Sequence, residues 1–220
     1  YSVGIGLFCG LITFFFVYLT IVLFRWKTEN GKFVMQIKIY AMSVFEQYLQ
    51  SFPHYAPQRY AEIQPLLRTQ ELEAGEYFLR EGKVCKGIAF IETGLLRLFY
   101  LHDGKEVTQC FCKEQTISTS FKSLVSQQVS DIAIQAIERT RLQVFSYDAL
   151  QHLYEKHPFW QQLGRIAAEN EYIIRENHNR FLSDLSATER YQQILEQEPS
   201  LLQRVPLNYL ATYLQVAPET

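Results

Sequence analysis

Between Glu73 and Glu114 the chain reads EAGEYFLREGKVCKGIAFIETGLLRLFYLHDGKEVTQCFCKE, a succession of short aromatic and β-branched runs punctuated by glycine. Tyr77 to Leu79, Gly87 to Ile91, Leu95 to Leu101 and Glu106 to Cys112 have the composition and length of strands. Asp103-Gly104 suits a type I′ hairpin, in which both central residues need positive φ, and Thr93-Gly94 marks another reversal. A short helical piece around Ser120 to Ser126 is followed by two further strands, Asp131 to Ala136 and Arg141 to Ser146. Many short strands at regular spacing predict an antiparallel β-roll of the jelly-roll type within an α+β chain.

The pattern changes after Pro158. Leu163, Ile166, Asn170, Ile173, Asn177 and Phe181 recur at alternating steps of three and four, the seam expected when two helices run together. Such a seam predicts a homodimer interface in which Asn170 and Asn177 fix register at some cost in stability. The other arrangement open to this helix packs its apolar stripe on its own roll and turns the asparagines to water. A further helix opens at Ser186, where Ser-Ala-Thr-Glu forms a capping box: the Ser186 hydroxyl takes the N3 amide and Glu189 reaches back to the Ser186 N–H. Pro199 is expected to close it.

The order Gly75-Glu76, Glu81-Gly82, Phe90-Ile91-Glu92-Thr93-Gly94, Leu96-Arg97 and Asp103-Gly104-Lys105-Glu106 resembles the cyclic-nucleotide-binding domain of the Crp/Fnr transcription regulators. The resemblance spans roughly residues 45 to 220, and its ending, ERYQQILEQEPSLLQRVPLNYLATYLQVAPET, is similar to the branch of that family common in Bacteroidetes. It implies a sensor roll over 42–155, a dimerisation helix over 156–184 and a helix-turn-helix DNA-binding part over 185–220, with a hinge around Leu182 to Ser186. Leu207 to Leu214 then reads as the first helix of that motif, with Ala211 small at the helix crossing and Val216 apolar in the turn. Gln215 departs from the glycine frequent at its position, and Ala217 from the Ser or Thr that would cap the next helix. Pro218 and Glu219 suit a helix start. Ala217, Glu219 and Thr220 are thus expected to be the stub of the DNA-contacting surface, in a motif truncated within its recognition helix.

The family neutralises a cyclic nucleotide's phosphate with a Gly-Glu segment, backbone amides at a short helix start, and an Arg-Ser or Arg-Thr pair. The corresponding segment here, KEQTISTSFKSLVSQQVSDIAIQAIE, has no Gly-Glu, and Ser130-Asp131 stands in place of the arginine pair. An aspartate facing the phosphate would repel it, and no nearby arginine offers a bidentate clamp. Lys122 could supply one charge, and Thr119 and Ser120 hydroxyls together with the helix amides could hold an anion. The expected effector is therefore an unidentified small molecule bound around Thr119, Ser120, Lys122, Ser130 and Asp131, and not cyclic AMP. The same residues also read as ordinary loop hydroxyls and a helix cap.

Other chemistries find little support. The histidines fall outside any facial metal pattern, Cys9, Cys85, Cys110 and Cys112 offer no iron–sulfur or zinc spacing, and no nucleophile–base pair stands out. Neither enzymatic activity nor a cofactor is expected. A net charge of -2 gives no basic footprint for nucleic acid. Cys110 and Cys112 share a strand face, too crowded for a mutual disulfide, which suits a reduced cytoplasmic setting. Val3 to Phe24 carries no charge and is followed by Arg25, Trp26 and Lys27, so residues 1–41 read either as a membrane helix with the remainder on the cytoplasmic side or as sequence upstream of a start at Met42. The alternative function is accordingly a membrane-tethered sensor of the cyclic-nucleotide-binding type that does not act on DNA.

Overall fold

The computed structural model describes residues 20–29 and 32–216, which divide between two units, Tyr1–Ser43 and Val44–Thr220. In the first, β1 (Thr20–Glu29) and β2 (Lys32–Ala41) pair antiparallel with Glu29 opposite Lys32. The sequence between them is Asn30-Gly31, the strongest short hairpin signal. The helix expected over Val3 to Phe24 therefore does not extend through Thr20–Phe24, which are strand; residues 3–19 lie outside the described residues. Thr20, Ile21, Val22 and Phe24 are β-branched or aromatic, types whose restricted χ1 favours a pleated strand once a partner strand follows at once. Among the described residues no helix is long and apolar enough to cross a membrane.

The second unit runs through α1 (Val44–Gln50), α2 (Pro57–Ile63), β3 (Arg68–Leu72), β4 (Tyr77–Leu79), β5 (Gly87–Thr93), β6 (Leu96–His102), β7 (Lys105–Cys112) and β8 (Ile117–Ser118). It continues with α3 (Phe121–Ser126), β9 (Ala133–Ala136), β10 (Thr140–Ser146), α4 (Tyr147–Lys156), α5 (Pro158–Asp184), α6 (Ala187–Gln197), α7 (Pro199–Arg204) and α8 (Leu207–Leu214). Two four-stranded antiparallel sheets, ordered β3-β10-β5-β8 and β4-β9-β6-β7, form the expected roll. The turns follow the sequence reading: Asp103 and Gly104 have φ of 50° and 75°, as a type I′ hairpin requires, and Gly94 has φ of 98°.

Alternation along the strands assigns each face. On β5, Ala89 and Ile91 point between the sheets, while Phe90 points outward and is buried under α1, α4 and the start of α5. Trp160 anchors that outer cluster, donating its indole N–H to Glu62 at 2.8 Å. On β6, Leu96 and Leu98 face the interior, whereas Arg97 and Phe99 face out, where Tyr209 of α8 lies over the Arg97 guanidinium. On β7 the pairing slips between Leu98↔Cys110 and Phe99↔Thr108, leaving Gln109 as a bulge residue. The extra residue lets Thr108 meet Thr212 of α8 and Phe111 pack on Tyr213, while Cys110 and Cys112 turn inward.

Pro199 does not simply end α6: it occupies the first turn of α7, where its fixed φ is an asset and its missing N–H costs nothing. The Ser186 capping box is complete, with Glu189 N–H donating to Ser186 Oγ at 3.4 Å and Ser186 N–H donating to Glu189 Oε2 at 2.8 Å. Ser186→Ala is expected to cost about 1 kcal/mol, seen as a lower denaturant midpoint at unchanged slope. An unchanged midpoint would mean that α6 is held by tertiary packing alone.

Candidate functional site

The sheets and α5 enclose a cavity of about 840 Å³, and beside it lies a second of about 410 Å³; they share Gln109, Phe121 and Arg175 as wall residues. The larger is walled mostly by apolar groups, among them Leu98, Ile117, Phe121 and Leu124. Leu98 comes from the inner face of β6, Ile117 from the outer face of β8 opposite Phe90, and Phe121 and Leu124 from α3, whose N-cap position is Ser120.

The residues expected to hold an effector separate into two sets. Ser120, Lys122 and Asp131 line the smaller cavity. Ser130 is buried behind it, its hydroxyl 2.8 Å from both Ser120 Oγ and the Ile132 carbonyl oxygen and accepting from the Ile132 N–H. Thr119 faces the larger cavity but donates to the Gly87 carbonyl oxygen at 3.0 Å and lies 3.2 Å from Cys85 Sγ. The buried Ser130 hydroxyl and the half-buried Thr119 hydroxyl are therefore committed to the protein.

The charges are committed as well. Lys122 Nζ sits 2.6 Å from Asp131 Oδ2, and this hydrogen bond holds the Asp131 carboxyl below the usual carboxylate range, with a smaller contribution from Arg175. Lys122, expected to offer a charge to a ligand, instead compensates the aspartate beside it. One arginine the loop sequence does not contain, Arg175, more than forty residues away in sequence, reaches the cavity from α5. It is itself paired with Glu171 at 2.8 Å, one helical turn earlier. Glu81, Tyr100 and Gln109 complete the features that the loop sequence did not point to. A helix-period reading of α5 could have found Arg175, because Glu171 and Arg175 share a face at i, i+4.

Two polar atoms at the cavities stand out. The side-chain oxygen of Gln109 and the hydroxyl of Ser118, which is 3% exposed, are buried with no hydrogen-bond partner of good geometry. Ser118 nonetheless lies beside Cys112: the Cys110 thiol and then the Ser118 hydroxyl draw the Cys112 thiol down against the effect of burial, and the Cys110 thiol is pushed up by its hydrogen bond with Cys112 and by burial. Cys85, Cys110 and Cys112 are free thiols. At the far end the rings of His178, Phe181 and Tyr213 are in mutual contact, with His178 centroids 5.9 and 5.2 Å from the other two and those 5.8 Å apart, and burial lowers the His178 pKa. Burial likewise pushes Tyr213 up to about 12.

The proposed dimer seam is divided by its own chain. Leu163 packs on the aromatic cluster beneath the roll and Phe181 on the C-terminal cluster, with Ile166 half-buried. Asn170, Ile173 and Asn177 are exposed, and Tyr172, Ile173 and Ile174 are 66%, 54% and 59% accessible. The C-terminal helices dock on the outer face of β6 and β7. Arg204 bridges Glu114 at 2.7 Å and Glu138 at 2.5 Å, Lys113 meets Glu198 at 2.6 Å, and Leu95, Ile194, Val205, Leu210 and Leu214 form the core between. Hydrogen bonds that Arg204 donates to Glu138 and Glu114 raise its pKa still further. α8 matches the expected first helix, Ala211 is buried, and Gln215 ends the helix in the left-handed region at φ 52°, the conformation glycine would adopt more cheaply. Ala217, Glu219 and Thr220 lie outside the described residues.

Residues 69–157 match the family model of the cyclic nucleotide-binding domain. Among solved structures, a Crp/Fnr-family transcriptional regulator from Eubacterium rectale superposes with a TM-score of 0.65 at 17% identity, over 79% of this chain and 83% of that one. FixK2 from Bradyrhizobium japonicum gives 0.61 at 18% identity, over 70% and 79%. The Thermus thermophilus catabolite activator protein gives 0.51 at 18%, over 78% and 82%. None of the curated proteins matches the sequence significantly. Identities this low carry the fold and not the ligand, whereas the family match carries the domain. Residues 69–157 thus match the cyclic nucleotide-binding domain, and the unit that contains them shares its fold with solved Crp/Fnr regulators.

Proposed function

We propose that this protein is a DNA-binding transcriptional regulator of the Crp/Fnr type. Its roll over 42–155 senses a small molecule, its helix over 156–184 pairs with that of a second copy, and its segment over 185–220 opens the DNA-reading part. The observation that carries this reading is the succession of a cyclic nucleotide-binding domain, a 27-residue helix and the short helices α6 to α8. The protein acts by binding, with Ala217, Glu219 and Thr220 at the start of the surface that meets DNA. Effector binding shifts a population between two placements of the reading heads. The effector on this reading is not cyclic AMP, since among the described residues the arginine that lines the cavities, Arg175, is paired with Glu171, and Asp131 lines the same cavity.

The test is to crosslink the native protein to DNA in its source cells and sequence what it holds. A discrete set of sites sharing a two-fold motif is expected; uniform recovery across the genome would overturn the reading. Dimer formation is checked separately with Ile173→Glu. A charge placed in the proposed seam is expected to weaken association at least tenfold in sedimentation equilibrium, and an unchanged mass would move the interface elsewhere.

A further inference from the structure

We propose that the paired cavities take an uncharged, largely apolar molecule that donates a hydrogen bond to Gln109 Oε1, and not an anionic nucleotide. The proposal rests on the reading of this domain as a sensor and names the class of ligand for that site. The first argument is charge. Two cations, Lys122 and Arg175, face four carboxylates, Asp131, Glu171, Glu81 and Glu198, and both cations are already in ion pairs at 2.6 and 2.8 Å. His178, the remaining group at this wall able to carry positive charge, is held toward its neutral form by burial and by Arg175. Both pairs are solvent-exposed and inexpensive to open, so the obstacle to a phosphate is the excess of carboxylates, with Asp131 beside Lys122 and Glu171 beside Arg175.

The second argument is the pair of orphaned polar atoms. Gln109 is the bulge residue of β7 and lines both cavities, and its side-chain oxygen is buried beside them without a partner. Ser118, across the larger cavity on β8, offers a hydroxyl with no well-formed bond. Buried acceptors of this kind are costly to leave unmade, so a ligand N–H or O–H placed there gains more than it would in water. Around them the walls are Leu98, Ile117, Phe121 and Leu124, and a volume of about 840 Å³ is of the size used by small-molecule sites. An uncharged, largely apolar body whose N–H or O–H reaches Gln109 Oε1 fits the walls and that acceptor, whereas a nucleotide that supplied the same donor would bring its phosphate against the carboxylates.

The probe is N-phenyl-1-naphthylamine, which is uncharged, apolar and carries one N–H, and which becomes fluorescent in apolar surroundings. Titrated against the whole chain, it is expected to bind saturably at one site per chain, and a hundredfold excess of cyclic AMP is expected to leave the signal unchanged. Gln109→Leu removes the acceptor while keeping an apolar wall, and about tenfold weaker binding is expected. Ser118→Ala, a smaller change at a buried position, is expected to weaken binding about threefold, and it serves as the second variant should Gln109→Leu melt early. Displacement of the probe by cyclic AMP overturns the proposal. So does binding that neither variant alters, or no saturable binding at all. The expected pattern supports the ligand class whatever the DNA experiment returns, so failure of the regulatory reading and failure of this one are told apart.

Discussion

Gly94→Ala is expected to lower the thermal midpoint by about 10 °C, the largest single-residue effect in the roll. Gly94 has φ of 98°, a region that costs an L-residue about 1–3 kcal/mol. A Cβ built there would lie 2.6 Å from Thr140 Cα and 2.7 Å from the Arg139 carbonyl oxygen, and closer still to Thr140 Oγ1. These are mainly backbone contacts on the neighbouring strand, which cannot turn aside as a long side chain would. Overpacking of this kind adds about 1–3 kcal/mol, giving roughly 3–5 kcal/mol in all. The damage would spread, because Gly94 also donates its N–H to Glu114, the residue that holds Arg204 of the C-terminal helices. Gly104→Ala is the control: its φ of 75° is also positive, but nothing lies within 4 Å of the added carbon. It is expected to cost about 1 kcal/mol. Equal losses in the two variants would mean that backbone strain alone, and not the approach of β10, makes Gly94 necessary.

The contrast between these two glycines also marks what a sequence can and cannot announce. Asp103-Gly104 was legible because a two-residue turn is a local object, fixed by φ preferences of the residues themselves. So were the Ser186 capping box, the bounds of α8 and the strands whose alternation runs for four residues or more. β3 was not legible, because as an edge strand it keeps Arg68, Thr69 and Glu71 exposed and shows little apolar signal. β8 is two residues long, too short to show any period. The site escaped for a different reason. Asp131 invited the inference of an anion-repelling pocket, yet its meaning depends on Lys122, on Arg175 and on the Gln109 bulge, which come together only when α5 crosses the roll. The docking of Arg204 on Glu114 and Glu138, across 90 and 66 residues, has no local sequence trace at all.

Arg97 poses the sharpest energetic question in the molecule, and two substitutions there are expected to give opposite answers. The side chain is fully buried, with its guanidinium 4.0 Å from the Phe99 ring centroid and 3.5 Å from that of Tyr209. Nη2 donates to Glu106 at 2.6 Å and to Gln135 at 3.1 Å, but Nε and Nη1 have no partner. Its stabilisation therefore comes from stacking, one ion pair and the space it fills, set against the desolvation of two unsatisfied donors. Arg97→Ala removes the stacking and empties the slot between the two rings, and a loss of about 3 kcal/mol is expected. Arg97→Met fills that slot with a flexible apolar chain and removes the orphaned donors as well, so stability within about 1 kcal/mol of the wild type, or above it, is expected. The measurement is denaturant unfolding of both variants, with limited proteolysis across residues 185–216 to see whether α8 lifts from the roll. A methionine variant as unstable as the alanine one would show that the cation itself is needed, and the two donors would then have to be satisfied by water. Position gives the result a wider meaning. Arg97 looks out toward Tyr209 while its neighbour Leu98 looks in toward the cavity, so β6 lines the cavity on one face and carries the C-terminal helices on the other. If packing rather than charge holds α8, a ligand that repositions Leu98 can loosen the outer face through the strand without breaking any ion pair.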